Sequence, residues 1–106
     1  MKKAIIIAAL MCGTAHAEFW DGNKLYSQMT GTKTEEIFAL GYVMGVSDAY
    51  HGVIHCAPPT ASAGQMYDMV KQHLQVNPST RHMIADSIVG HVLGKVWSCP
   101  KKGTGI

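Results

Sequence analysis

Phe38-Ala-Leu-Gly-Tyr-Val-Met-Gly-Val-Ser-Asp-Ala-Tyr-His-Gly-Val-Ile-His-Cys-Ala-Pro-Pro59 reads as a central helix that ends near Gly52 and releases the chain into a loop carrying a cysteine. On a 3.6-residue period Ile37, Gly41, Met44 and Asp48 fall on one stripe, with Gly45 and Ala49 beside it. Glycine inside a helix costs about 0.5–1 kcal/mol against alanine. Gly41 and Gly45, with Ala49 at the same spacing, therefore predict that another helix comes close. Asp48 is the odd member, a carboxylate on an otherwise apolar stripe. Burying it unpaired would cost several kcal/mol, so the stripe predicts a fixed partner for it.

Upstream, Thr32-Lys33-Thr34-Glu35 matches a capping box and places the start of the central helix. A short first helix is expected between Glu18 and Thr30, with Leu25 and Met29 on one face, Asp21 or Asn23 as cap, and Gly31 ending it. Phe19 and Trp20 stand ahead of it as packing or contact residues. Downstream, Pro58 and Pro59 cannot continue a helix, because neither has an amide to donate. Ser62-Ala63-Gly64-Gln65 is a second capping match, followed by an apolar stripe of Met66, Met69, Val70 and Leu74. Asn77-Pro78 is expected to stop that helix and start the last one, with Asn77 as cap and Pro78 at its first position. Ala85, Ile88 or Val89, Val92 and Val96 carry its apolar face to Trp97, and Gly90 and Gly94 again allow close approach. The expected fold is all-α, a small four-helix domain.

The first 17 residues are set apart. Lys2 and Lys3, an apolar run from Ala4 to Met11, and Ala15-His16-Ala17 form a secretory signal peptide, with cleavage expected between Ala17 and Glu18. Eight apolar residues are too few to span a bilayer. Cys12 is read against lipid attachment, because Leu10 and Met11 are bulky where such signals want small residues. The expected location is a bacterial periplasm, with 18–100 as one helical domain and 101–106 as a loose tail.

Removing 17 of 106 residues leaves 89, with seven basic side chains against seven acidic ones and five histidines. A neutral chain without a Lys/Arg cluster excludes nucleic acid and an anionic membrane surface as expected partners. The two remaining cysteines, Cys56 and Cys99, read as a disulfide in an oxidising compartment. Closing a loop of that length is worth about 4 kcal/mol in the chain-entropy model.

Few residues invite chemistry. His51 and His55, four apart and next to Cys56, have zinc-like spacing. Gly52 interrupts them, however, and Cys56 is assigned to the disulfide, so no metal or other cofactor is expected. The same bond removes a cysteine nucleophile. Gly45-Val46-Ser47-Asp48 lacks the second glycine of a nucleophile elbow. Nothing sets a separation between Asp48 and Asp68 or Asp86 that would make a glycosidase pair. The methionines at core spacing read as packing. No catalytic residue is expected. The remaining polar group is Asp48 with Arg81 and His82: the last two are expected in the first turns of the last helix, where Asp48 would accept a hydrogen bond from one of them or from backbone amides there.

Gly41-Tyr42-Val43, Gly45-Val46, Asp48-Ala49, Cys56-Ala57-Pro58, Gly64-Gln65, Leu74, Asn77-Pro78, Arg81-His82 and Trp97-Ser98-Cys99-Pro100 follow one another in an order that resembles the Rap/Tai family of periplasmic immunity proteins. The resemblance runs from about Leu25 to Pro100. It implies a disulfide-bonded helical domain that neutralises a cognate toxin delivered by a type VI secretion system, often a peptidoglycan-cleaving amidase. Members often carry a second cysteine pair where Met29 and Ala39 stand here, and the closing Trp-Pro-Cys is Trp97-Ser98-Cys99. The partner implied is a secreted toxin, with a homodimer also allowed. Tyr50, His51 and His55, around the Cys56–Pro59 loop, are the expected toxin-binding residues, with Phe19 and Trp20 as competitors. The rival reading is an acid-stress chaperone of the Hde type, or an orphan inhibitor of another cell-wall hydrolase.

Overall fold

A computed structural model describes residues 19–101; the expected signal peptide and most of the expected tail lie outside the described residues. Four α-helices form the domain: α1 (Gly22–Met29), α2 (Lys33–Tyr50), α3 (Ala63–Val76) and α4 (Ala85–Val96), with a 3-10 turn at Pro78–Thr80. Among the described residues no strand forms, and no helix is long and apolar enough to cross a membrane.

The local signals set most helix starts. Asp21 caps α1, its carboxylate accepting from the Lys24 amide at 2.8 Å. The capping box opens α2: Thr32 Oγ1 accepts from the Glu35 amide at 3.2 Å, and Glu35 Oε1 accepts from the Thr32 amide at 2.9 Å. The Thr32 backbone amide above all, then its hydroxyl, holds the Glu35 carboxyl below the usual carboxylate range. Ser62 caps α3 by accepting from the Gln65 amide at 3.1 Å.

The last helix departs from expectation. It begins at Ala85, not at Pro78, and Ile84 at its cap is extended with no side-chain cap bond. The reason is a long-range pairing. Gly22 and Asn23, whose amides have no partner inside α1, donate to the carbonyls of Met83 and Arg81 at 2.9 and 2.8 Å. Ala85 donates to the Trp20 carbonyl at 2.8 Å, and Asp21 and Ile84 form an antiparallel bridge. Carbonyls spent on α1 cannot begin α4. The approach is so close that a Cβ on Gly22 would fall 2.7 Å from the Arg81 oxygen.

The core is shared by all four helices: Leu25 and Met29 from α1, Val43 from α2, Val70 and Leu74 from α3, Val89 and Leu93 from α4 are fully or almost fully buried. Helix α2 turns a different face inward from the one its pattern suggested. Its buried residues are Ala39, Val43 and Ser47. Ile37, Gly41, Gly45, Asp48 and Ala49 are exposed, and a Cβ at Gly41 or Gly45 would meet nothing within 4 Å. The expected small-residue contact is therefore absent at α2. On α4 it is present: a Cβ at Gly94 would meet the Ile54 carbonyl at 2.9 Å, and one at Gly90 the Tyr50 ring at 3.1 Å.

Candidate partner-binding surfaces

The exit of α2 is a tightly bonded knot. Tyr50 closes the helix, and Gly52 takes φ +82°, the left-handed conformation that suits glycine. The Tyr50 carbonyl accepts from Val53 and Ile54 at 3.1 and 2.9 Å, and Gly52 donates back to the His55 carbonyl at 2.7 Å. The Cys56 amide donates to the Trp97 carbonyl at 2.8 Å, and a disulfide joins Cys56 to Cys99 with Cα atoms 4.8 Å apart. Chain end and helix exit thus move as one piece.

His55 is not a surface residue. It is fully buried, and its ring is satisfied on both sides. Nδ1 accepts from the Ala57 amide at 3.2 Å, so the ring proton sits on Nε2, which donates to the Ser47 carbonyl at 2.8 Å. Ser47 Oγ lies 3.3 Å from the same nitrogen and donates to Met66 Sδ at 3.2 Å. A serine beside a histidine suggests a nucleophile, but this Nε2 already carries its proton and both side chains are buried. The expected contact residue is a core residue. His51 is exposed, donates from Nε2 to the Ala57 carbonyl at 3.1 Å, and meets the His55 ring edge-on at 5.3 Å. Tyr50 is half-buried; desolvation first, then the Asp86 carboxylate, pushes its phenol pKa up.

The expected Asp48–Arg81–His82 contact does not form. Asp48 and His82 are exposed, and Arg81 is committed elsewhere. Its Nε donates to the Leu74 carbonyl at 2.6 Å and its Nη2 to the Gln75 carbonyl at 3.2 Å, so the cation sits at the C-terminal end of α3, where the helix field favours it. The guanidinium also lies 4.1 Å from the centre of the Tyr26 ring. The carboxylate between α2 and α4 is Asp86, which acts on the phenols of Tyr42 and Tyr50. Trp20 stacks on Tyr42 at 4.9 Å, while Phe19 is 85% exposed. Among the described residues, no group of three or more His, Cys, Asp or Glu side chains is placed to hold a metal ion.

A surface missed by sequence reasoning lies between α3 and α4. His73 and His91 face each other with ring centres 5.9 Å apart at an interplanar angle of 61°. They divide a cleft with lobes of about 540 and 510 Å³. Lys95 lines the larger lobe, and Val76, Val96 and Met83, each large, apolar and exposed, stand around the two. Asn77 donates from Nδ2 to the His73 carbonyl at 2.8 Å, and the same nitrogen lies 3.5 Å from His73 Nδ1. Burial above all, then His91 and Lys95, holds the His73 imidazole below its usual pKa. The spacing of 18 residues between the two histidines matches no local motif, which is why the pair was not visible in the sequence.

No curated protein matches the chain. A family model described as Rap1a immunity proteins matches residues 21–99, a span that takes in all four helices and both bonded cysteines. With most of its length matched and the expected helical, crosslinked fold in place, the chain belongs to the Rap1a immunity protein family.

Proposed function

We propose that this protein is an exported immunity protein, working in the periplasm, that binds and inhibits a cognate toxin delivered by type VI secretion, a peptidoglycan-cleaving amidase. The family match over residues 21–99 carries the reading, and it favours immunity over an acid-stress chaperone. The physical character of the domain agrees with it. Helix exit and chain end are bonded together, so little conformational freedom is lost when a partner docks. We read the chain as having no catalytic role: the sulfurs of Cys56 and Cys99 are bonded, and the Ser47–His55 pair is buried.

Self-association into a homodimer belongs to the same proposal. The uncovered outer face of α2, with Ile37 and Phe38 more than half exposed, is the surface it would bury. Sedimentation at micromolar concentration checks it, and a monomer there removes the dimer. For the function, any exported hydrolase encoded beside this gene is expressed in the periplasm with and without this protein. Restored growth is the expected result. Lysis in both cases, with the protein present and folded, would sink the reading.

A further inference from the structure

We propose that the α3–α4 cleft is the seat of an acidic side chain, aspartate or glutamate, presented by the partner protein and held by His73, His91 and Lys95. This rests on the immunity reading and adds to it the chemistry of the contact. Three observations carry it.

The first is charge. Both lobes of the cleft lack a carboxylate among their lining residues, while His73 and His91 line both and Lys95 lines the larger. The chain's own acids act elsewhere. Asp86 acts on Tyr42 and Tyr50, and Asp68 with Glu36 acts on Tyr67. Facing His73 from α4 are His91 and Lys95; the lining residues from the connection between the helices, Asn77, Thr80 and Met83, carry no charge. An anion is the complement this arrangement lacks.

The second is the tautomer of His73. The Asn77 side-chain nitrogen, a donor, lies 3.5 Å from His73 Nδ1, which favours the ring proton on Nε2. In this tautomer Nε2 offers a donor, not a metal-binding lone pair. The third is the rim. Val76, Val96 and Met83 are 66%, 56% and 48% exposed, an apolar border around a basic cleft. A docked partner covering such a border would shield a charge pair formed inside it, which suits a protein partner better than a free small anion.

The cleft also couples binding to protons. Burial above all, then His91 and Lys95, disfavours the charged form of the His73 ring. A partner carboxylate opposes that effect and favours the charged His73 ring, so affinity rises as pH falls through the imidazole range.

The test uses the full exported chain and any exported hydrolase encoded beside its gene, with Kd measured at about pH 5.5 and about pH 8. Wild type should bind roughly tenfold tighter at the lower pH, and Lys95→Glu should weaken binding by roughly 30-fold or more. The double variant His73→Gln/His91→Gln should bind without that pH dependence while keeping the wild-type circular dichroism. A hydrolase bound equally by wild type and Lys95→Glu, with the same pH dependence in the double variant, overturns the cleft and leaves the immunity reading standing. A hydrolase that wild type fails to bind overturns the immunity reading instead. The cleft is then decided by NMR titration with the peptides Ac-Ala-Glu-Ala-NH2 and Ac-Ala-Gln-Ala-NH2. Larger shifts of the His73 and His91 ring signals with the glutamate peptide support the carboxylate seat; equal shifts overturn it.

Discussion

The molecule holds two pairs of histidines, and they have opposite fates. His51 and His55 meet edge-on at 5.3 Å, His73 and His91 at 5.9 Å, with similar interplanar angles of 73° and 61°. In the first pair the ring bonds end on backbone of α2 and of the loop fastened by the disulfide. In the second, two helices bring the rings together over an open cleft whose lining offers donors and no carboxylate. Ring geometry alone does not distinguish a structural histidine from one offered to a partner. Where the nitrogens find their hydrogen bonds does.

The largest effect on this contrast is expected at the crosslink. Cys56→Ala/Cys99→Ala should cost about 4 kcal/mol by the loop-closure relation, read as a lower urea midpoint. An unchanged midpoint would mean that the backbone bonds hold the exit unaided. His55→Ala should follow closely, at about 3 kcal/mol, because it opens a cavity and strands the Ala57 amide. His91→Ala, on an exposed ring, should stay within about 0.5 kcal/mol. Similar losses for the two would erase the distinction between the pairs.

Glycines sharpen the same comparison. Gly94→Ala places a Cβ 2.9 Å from the Ile54 carbonyl and should destabilise by about 1–3 kcal/mol. Gly41→Ala, pointing into open space on a helix, should stabilise by about 0.5–1 kcal/mol. Thermal melts of the two variants should move in opposite directions, and a loss in both would mean that α2's outer face is covered.

The smallest effect is electrostatic. His73 has a depressed pKa in the native state, so the unfolded chain takes up this proton at the higher pH. Its contribution to stability is present above the usual imidazole range near pH 6.5 and is lost as pH falls through the depressed native value. Wild type should therefore lose stability relative to His73→Gln across that window. A pH-independent difference between their urea midpoints would show that the cleft does not disfavour the charged ring.

What could be read in the sequence was local. Asp21, Thr32 with Glu35, and Ser62 act on amides within three residues, so their spacing was enough. The cysteine pair followed from number and the expected compartment. The inner face of α2 was misread because apolar residues surround that helix, with Ile37 and Phe38 outside and Ala39 and Val43 inside. Asp48 consequently needs no partner, since water solvates it. Asn77-Pro78 carried a genuine start signal, but it opens only a 3-10 turn, because Arg81 and Met83 bond to residues some 60 positions earlier. The burial of His55 and the meeting of His73 with His91 are tertiary outcomes of the same kind.

The bonds from Gly22 and Asn23 to the carbonyls of Met83 and Arg81 also dictate an order of assembly. A polypeptide emerging from the ribosome amino end first exposes α1 long before its two acceptors exist. That opening turn cannot be completed until residues 81–83 are available, so the bonds that finish the first helix written are among the last that can form.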